Sequence, residues 1–193
     1  MKKIIGICGY ARSGKDTFYN RSSLHLESQN LESVRYAFAD ALKEELDGLL
    51  TEYIGISAFS EKTEEKDIIR PLLVTYGTEL RRKLNPNCWI EKIKDRVLLD
   101  AQQDKYVFIT DVRFENEAQW IKSQGGKMVY IEREGVKPAN GEEHRQNVLM
   151  KKYLDYKIYW ETFGCDKTDA CDEHILPFLS HLIQNYPKFE HVM

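Results

Sequence analysis

A glycine-rich segment near the start of the chain constrains the fold more than any other part of the sequence. Residues 9–17 read G-Y-A-R-S-G-K-D-T, directly after the apolar run of residues 4–8 and before a stretch without glycine or proline that lasts until Gly48. This order predicts a buried strand, a phosphate-binding loop of the G-x-x-x-x-G-K type and a helix that begins at about Gly14. Glycines let backbone N–H groups approach phosphate oxygens, and Lys15 is expected to reach the β- and γ-phosphates of a nucleotide.

The loop departs from the usual pattern at the residue after the lysine. A Ser or Thr hydroxyl ordinarily ligates Mg²⁺ there, but in this chain Asp16 follows Lys15 and Thr17 comes one place later. A carboxylate can hold Mg²⁺ directly or through water, so the chemistry of the site is retained. Its negative charge beside the phosphates needs the metal or a basic residue to offset it. The alternative interpretation is a glycine turn that binds no ligand.

Composition restricts the class of protein. The 193 residues suffice for one α/β domain with a substantial core and are few for two. A net charge of −3 argues against a nucleic-acid partner, and no apolar stretch approaches the length of a membrane span. The N-terminal apolar run is better interpreted as a strand than as a signal peptide. The four cysteines show neither C-x-x-C nor zinc-like spacing, which favours a reduced, cytoplasmic protein; they are Cys8, Cys88, Cys165 and Cys171.

Strand and helix patterns alternate along the chain. Strands are predicted at residues 3–8, 33–38, 106–111, 127–131 and 156–160. Helices are predicted from about residue 14, from residue 41 with Asp40 as N-cap, and over residues 69–83, 89–103, 114–124 and 172–186, with loops at 55–66 and 133–145. The apolar face of the 69–83 helix is expected to consist of Leu72, Leu73, Tyr76, Leu80 and Leu84. The alternation predicts a three-layer α/β/α fold with a central parallel sheet of about five strands, in a single domain over residues 1–193.

Residue types that often bind ligands follow the ends of the predicted strands. Gly9, Asp40, Asp111 and Arg133 follow strands, and the carboxyl ends of parallel strands line a common cleft. Asp111 after an apolar strand is typical of the Walker B carboxylate that holds Mg²⁺ or its waters, although a strand also often ends in Asp as a cap.

Arginines favour a kinase whose acceptor carries a phosphate. Arg70 and Arg81 are eleven residues apart, or three α-helical turns, so they are expected to share a helix face that suits a phosphate monoester. Solvated surface arginines are the alternative. Asp40 and Lys43 could contact the base or sugar of an acceptor. The basic segment after residue 132 resembles a lid that closes on the nucleotide and excludes water; its basic residues are Arg133, Lys137, His144 and Arg145.

Four motifs together resemble the phage-type deoxynucleoside monophosphate kinases. That family also carries Asp after the P-loop lysine, as residues 9–17 do here. Residues 38–43 read F-A-D-A-L-K, similar to the F-A-D-x-L-K segment of the family. Residues 70–81, followed by Trp89, resemble its R-x-L-L…G-T-[DE]…R helix. Residues 110–118 read T-D-V-R-F-E-N-E-A, similar to T-D-V-R-F-x-N-E-A, whereas residues 144–147 depart from the H-x-S-E that the family tends to have there.

The resemblance implies a nucleoside monophosphate kinase fold and transfer of the ATP γ-phosphate to a deoxynucleoside monophosphate (dNMP), with Mg²⁺. It implies an NMP-binding segment at about residues 40–90 and a lid at about 133–150. The expected catalytic residues are Lys15, Asp16, Asp111 and Arg133, and the expected metal ligands are Asp16 and Asp111. The expected ATP-binding residues are Gly9, Ala11, Arg12, Ser13, Gly14, Lys15, Asp16, Thr17 and Arg145. The expected acceptor-binding residues are Asp40, Lys43, Arg70, Arg81, Trp89 and Arg113.

Two other functions are compatible with the sequence. One is a P-loop kinase of another small phosphorylated acceptor, because animal-type phosphomevalonate kinase shares S-G-K-D and dephospho-CoA kinase shares the fold. The other is a nucleotide-binding switch without transfer, suggested by Asp16. The sequence does not rank the dNMPs, because the shape of a pocket sets that choice. It also leaves the oligomeric state open, with a homodimer as one option.

Overall fold

A computed structural model describes residues 3–164 and 167–185. The chain divides into two compact units, the first formed by Met1–Tyr36 with Arg96–Met193 and the second by Ala37–Asp95. Cys165 and the last residue of the predicted closing helix, residue 186, lie outside the described residues.

The first unit contains a five-stranded sheet in which every neighbouring pair is parallel. The strands are β1 Ile4–Cys8, β2 Ser33–Tyr36, β3 Tyr106–Ile109, β4 Lys127–Arg133 and β5 Tyr156–Trp160. Their order is β2-β3-β1-β4-β5, so β1 is central and its Gly6 lies opposite both Ile109 and Met128. The connection after β1 runs to one edge, and the connection after β3 crosses to the other side. The carboxyl end of β1 is therefore the point where ligands bind in such sheets. The predicted parallel α/β fold is confirmed.

The helices are, in chain order, α1 Lys15–Ser28, α2 Phe38–Ile54, α3 Thr63–Val74, a π-helix Thr75–Arg82, α4 Cys88–Gln102, α5 Glu115–Ser123, α6 Gly141–Met150 and α7 Asp172–Asn185. Short 3₁₀ turns cover Lys151–Tyr153 and Thr168–Cys171. The predicted apolar face of α7 is confirmed, because Ile175, Phe178, Leu179 and Leu182 are all buried. They join a core with Phe18 and Trp160. Of the helices in the described ranges, none is at once long and apolar enough to cross a membrane.

The second unit is a small helical assembly with its own core. Leu46, Leu50, Ala58 and Ile69 form this core. The N-cap of α2 is Ala37, so the prediction that Asp40 caps this helix is wrong. The strand before it ends at Tyr36, and the helix has already begun at Phe38 when the chain reaches Asp40.

The predicted helix over residues 69–83 is not a continuous α-helix. It begins earlier, at Thr63, and changes to a π-helix from Thr75 to Arg82. Because a π-helix bonds residue i to i+5, its residues rotate less per step than α-helical ones. Leu80 and Leu84, predicted to face inward, are 51% and 76% exposed. Gly77 is buried instead, so close to α2 that an added Cβ would lie 2.9 Å from Leu42 Cδ2.

The segment predicted as a lid loop contains a helix. Asn140 accepts a hydrogen bond from the backbone N–H of Glu143 at 2.8 Å and so caps α6. An Asn followed three residues later by Glu is a recognised helix start, and the sequence interpretation missed it.

Candidate active site

The glycine loop joins β1 to α1 in a conformation that requires its glycines. Gly9 and Gly14 have φ values of 139° and 94°, and Arg12, with φ 65°, also lies in the left-handed region. A Cβ on Gly9 would collide with the carbonyl oxygen of Ile131 and lie 2.9 Å from Ser13 Oγ. The first turn of α1 then starts with a bond from Phe18 N–H to the Gly14 carbonyl at 2.9 Å. Loop N–H groups and a helix N-terminus therefore meet at the carboxyl end of β1, which is an arrangement that binds anions.

Lys15 lies over this loop. Its Nζ donates hydrogen bonds to the carbonyl oxygens of Gly9 at 3.0 Å and Tyr10 at 2.8 Å. Burial lowers the pKa of Lys15, and the nearby charge of Arg113 lowers it further, while Asp16 and Glu143 act in the opposite sense. A cation held on neutral carbonyls in a partly desolvated place would gain from an anionic partner.

Trp160, the last residue of β5, packs against the glycine loop. Its side chain is 1% exposed, and its indole N–H donates to the carbonyl of Ser13 at 3.0 Å. The ring also packs on Gly14, where an added Cβ would lie 2.7 Å from Trp160 Cζ2. The tryptophan therefore fixes the two loop residues that precede Lys15.

Two carboxylates lie near the glycine loop. Asp16 follows Lys15 in the sequence, and Asp111 follows β3, the strand that pairs with β1. Asp16 lies in the first turn of α1 with its side chain 76% exposed, and Arg35 Nη2 lies 3.6 Å from its Oδ1. Arg35 is thus a basic residue beside the unusual carboxylate, and sequence reasoning did not identify it. Asp111 follows β3, where the N–H of Val112 bonds to the Ile7 carbonyl at 3.1 Å and holds this turn against β1.

The donor set near the loop suits Mg²⁺. Ser13 Oγ, two residues before Lys15, and Thr110 Oγ1, directly before Asp111, are buried oxygens without a hydrogen-bond partner in the described structure. Within residues 3–164 and 167–185, no three or more His, Cys, Asp or Glu side chains form a metal site by themselves. Mg²⁺ in phosphoryl-transfer sites is commonly held by one or two carboxylates together with phosphate oxygens and water. The residues present therefore fit that ion in the company of a nucleotide.

Glu143 of α6 binds directly to the glycine loop. Its Oε1 accepts a hydrogen bond from the Ala11 N–H at 2.8 Å, and its Oε2 accepts one from the Ala139 N–H at 2.6 Å. Beside it, the Tyr10 hydroxyl and His144 Nδ1 lie 2.9 Å apart, with the two rings stacked. Sequence reasoning identified neither Glu143 nor Tyr10, because nothing local in the sequence signals a contact across more than 130 residues.

Arg113 is held by its backbone. The N–H groups of Arg113 and Phe114 donate to Glu117 Oε2 at 2.8 Å and 3.0 Å, and Glu117 is buried at the start of α5. This capping arrangement fixes the backbone from which the Arg113 side chain extends, close enough for its charge to act on Lys15.

The two arginines predicted to belong to a lid have separate surroundings. Arg133 ends β4 and donates from Nε to Thr162 Oγ1 at 3.3 Å and from Nη2 to the Phe163 carbonyl at 3.4 Å. Arg145 is 71% exposed and pairs with Glu142 at 2.7 Å. The structure thus ties Arg133 to the segment after β5, while Arg145 lies on the outer surface of α6.

In the second unit, the predicted acceptor residues have different environments. Lys43 lies 3.8 Å from Asp40 and 5.3 Å from the centre of the Phe59 ring. Arg70 is 69% exposed and 4.0 Å from Asp67. Arg81 and Trp89 form a pair.

Arg81 and Trp89 lie close together and contact other residues of the second unit. The Arg81 guanidinium is 5.6 Å from the centre of the Trp89 ring and 3.0 Å from Glu45. Trp89 is 2% exposed and donates to the Gly77 carbonyl at 3.3 Å. The α-helical spacing that was expected to align Arg70 with Arg81 is interrupted by the π-helix between them, so the three-turn argument does not hold.

A central parallel strand that leads into a lysine-bearing glycine loop defines a nucleotide-binding P-loop protein. The profile of the deoxynucleotide monophosphate kinase family matches residues 49–147. A protein of Acanthamoeba polyphaga mimivirus, provisionally named a deoxynucleotide monophosphate kinase, is 30% identical over 172 residues, which cover 80% of this chain and 86% of the viral protein. The chain belongs to the deoxynucleotide monophosphate kinase family.

Solved structures of low sequence identity are also similar. The dephospho-CoA kinase of Campylobacter jejuni is 19% identical with a TM-score of 0.49, over 94% of this chain and 99% of that one. The shikimate kinase of Bacteroides thetaiotaomicron is 13% identical with a TM-score of 0.43, over 92% and 98%. The assignment of the fold rests on strand order and on the glycine loop rather than on these two similarities.

Proposed function

We propose that this protein transfers the γ-phosphoryl group of ATP to a dNMP and releases ADP and the deoxynucleoside diphosphate. The observation that carries the proposal is the glycine loop itself, in which the Ala11 N–H already binds a carboxylate oxygen and Lys15 lies above. Membership of the family supports a nucleotide as the acceptor.

The donor's phosphates bind in the glycine loop. The N–H groups of residues 11–17 bind their oxygens, and the Lys15 ammonium leaves the Gly9 and Tyr10 carbonyls for the β- and γ-phosphates. The exchange is favourable because a charge-assisted bond to phosphate is stronger than a bond to a neutral carbonyl.

The acceptor's phosphate is bound by guanidinium groups and needs no general base, because a phosphate acceptor is already ionised. Arg81 and Arg70 are the arginines of the second unit for which we propose this role, with Lys43 and Asp40 toward the sugar or base. Arg113, fixed through Glu117, adds positive charge near Lys15. Catalysis then consists of in-line positioning and neutralisation of the charge on the transferring group.

Mg²⁺ fits the site and would be held by Asp16 and Asp111 together with the nucleotide. When bound, the ion neutralises phosphate charge and orients the donor. Arg35 offsets the charge of Asp16 when no metal is present.

Residues of about 133–150 form the lid in this proposal. Closure matters because a kinase that admits water at the γ-phosphate hydrolyses ATP without transfer. Arg133 and Arg145 supply its positive charge, the first from the end of β4 and the second from α6.

The proposal is tested by ADP release from Mg-ATP with each deoxy- and ribonucleoside monophosphate, with Lys15→Ala as the inactive control. Release with one or more dNMPs, absent in the variant, is the expected result and identifies the acceptor. Release only with phosphomevalonate or dephospho-CoA would overturn the nucleotide acceptor. ATP binding without release for any acceptor would indicate a switch that performs no transfer.

A further inference from the structure

We propose that Glu45 is a positioning residue that holds the Arg81 guanidinium in the orientation in which it binds the acceptor's phosphate. The inference rests on the proposed function for the identity of the acceptor. The role of Glu45 itself is inferred from hydrogen bonds within the second unit.

Glu45 joins three helical segments through one carboxylate. Its Oε1 accepts from Arg81 Nη2 at 3.0 Å and lies 2.8 Å from Lys92 Nζ, and its Oε2 accepts from the Tyr76 hydroxyl at 2.9 Å. The carboxylate itself lies on α2, while its partners come from the π-helix and from α4. With 17% of its side chain exposed, Glu45 is shielded enough for these bonds to determine where its partners point.

The network keeps Glu45 ionised. Burial disfavours its charged form, but the hydrogen bonds from Lys92 and Tyr76 and the charge of Arg81 outweigh burial, and the pKa of Glu45 is lowered overall. The pKa of Arg81 is raised, because attraction to Glu45 exceeds the effect of burial. An ionised Glu45 carboxylate therefore accepts a hydrogen bond from a charged Arg81 guanidinium.

The π-helix makes this arrangement possible. Tyr76 and Arg81 are five residues apart, and a π-helix, which bonds residue i to i+5, places residues at this spacing on the same side. In an α-helix of 3.6 residues per turn, the same spacing would direct the two side chains to different faces. The π-helix therefore directs both side chains to the side where Glu45 binds them. An eight-residue π-helix is rare, and such segments occur frequently at functional sites.

Arg81 keeps binding capacity after these contacts. Its Nε is buried without a hydrogen-bond partner in the described part of the chain, yet 30% of the side chain remains exposed. The Trp89 ring lies 5.6 Å from the guanidinium carbon, so the group is restrained by an aromatic surface as well as by Glu45. A guanidinium restrained in this way loses little conformational entropy on binding a phosphate, whereas the exposed Arg70 has only Asp67 at 4.0 Å.

The test compares Glu45→Gln with the matched control Glu52→Gln. The first removes the charge that binds Arg81 and keeps the side-chain shape. The second makes the same change at an exposed position of the same helix, α2. We expect Glu45→Gln to raise the KM for the dNMP on the order of tenfold, as loss of a hydrogen bond between charged groups implies. The KM for ATP should stay unchanged, and Glu52→Gln should leave both values near wild type. Arg81→Lys combined with Glu45→Gln should cost little more than Arg81→Lys alone.

A binding readout separates this inference from the proposed function. The Nε–H signal of Arg81, assigned by its loss in Arg81→Lys, is followed by ¹⁵N NMR during titration with 2-deoxyribose 5-phosphate. Wild type and Glu52→Gln should show a shift that Glu45→Gln loses. Such a shift without turnover of any dNMP would overturn the proposed function and leave the role of Glu45 standing. Turnover with equal KM values in Glu45→Gln and Glu52→Gln would overturn the role of Glu45 alone. Absence of both turnover and shift in wild type would overturn both.

Discussion

The carboxylate of Glu143 accepts a hydrogen bond of 2.8 Å from the backbone N–H of Ala11, inside the glycine loop. That N–H is one of the groups with which such loops bind phosphate oxygens. The Coulomb effect of Glu143 also reaches Lys15, where it favours the charged form. Glu143 therefore stands where an anionic ligand belongs, and a nucleotide has to displace it.

Glu143→Ala is expected to strengthen ATP binding. The variant frees the Ala11 N–H and removes a negative charge near the phosphates, so affinity should rise by a few-fold to about tenfold. Isothermal titration with ATP measures this. Glu27→Ala is the control, because Glu27 is exposed near the end of α1 that lies farther from the glycine loop. Weaker binding in Glu143→Ala than in the control would mean that Glu143 contributes to the bound state instead.

Lys15→Ala should abolish transfer without unfolding the protein. Lys15 is the cation over the loop, and loss of such a contact to the transferring group costs about a thousandfold or more in rate. Its removal also relieves a burial penalty, because burial lowers the pKa of Lys15. The thermal unfolding midpoint should therefore not fall. ADP release and melting followed by circular dichroism provide the two measurements, and turnover within about tenfold of wild type in a folded variant would exclude the proposed role.

Local patterns were sufficient to predict the sheet. Strands β1 and β3 are short, fully buried apolar runs, whereas β2 and β5 alternate between polar and apolar side chains. The face of α7 repeats with helical period, so all of these follow from hydrophobic burial. The glycine loop was predictable for a different reason, namely that few residue types adopt its φ values.

The π-helix and the Glu143 contact were not predictable in this way. The apolar spacing of residues 69–83 suits an α-helix, and contacts across the chain, such as those of Tyr76 and Arg81 with Glu45, accompany the wider turn. Ala11 and Glu143 are likewise brought together only by the folded sheet. Tertiary partners overrode local propensity in both places.

Trp160→Phe should destabilise the first unit and disturb the loop. The substitution leaves the Ser13 carbonyl without the indole N–H and opens space beside Gly14, which together should cost about 1–3 kcal/mol in the free energy of unfolding. Urea unfolding measures the loss. Tyr159→Phe is the matched control, because Tyr159 directly precedes Trp160 in β5 and is 48% exposed. Equal stability of the two variants would show that the bond to Ser13 contributes nothing.

Asp155 should make stability depend on pH in the acid range. Burial disfavours its charge, but the Lys122 ammonium at 2.7 Å and the Met128 N–H at 2.8 Å outweigh burial and lower the pKa of Asp155. A carboxylate whose pKa is lower in the folded state stabilises the protein above its unfolded pKa of about 3.9 and ceases to do so as pH falls through the folded value.

Asp155→Asn keeps an oxygen that can accept from Met128 but removes the charge that pairs with Lys122 and Lys127. We expect the variant to be less stable than wild type at pH 6, with the difference shrinking as the pH is lowered below about 4. Urea unfolding of both proteins at a series of pH values gives this difference directly. A difference that stays constant from pH 6 to pH 3 would mean that the cost comes from packing or from the neutral hydrogen bond, because only the ionised carboxylate changes over that range at this position.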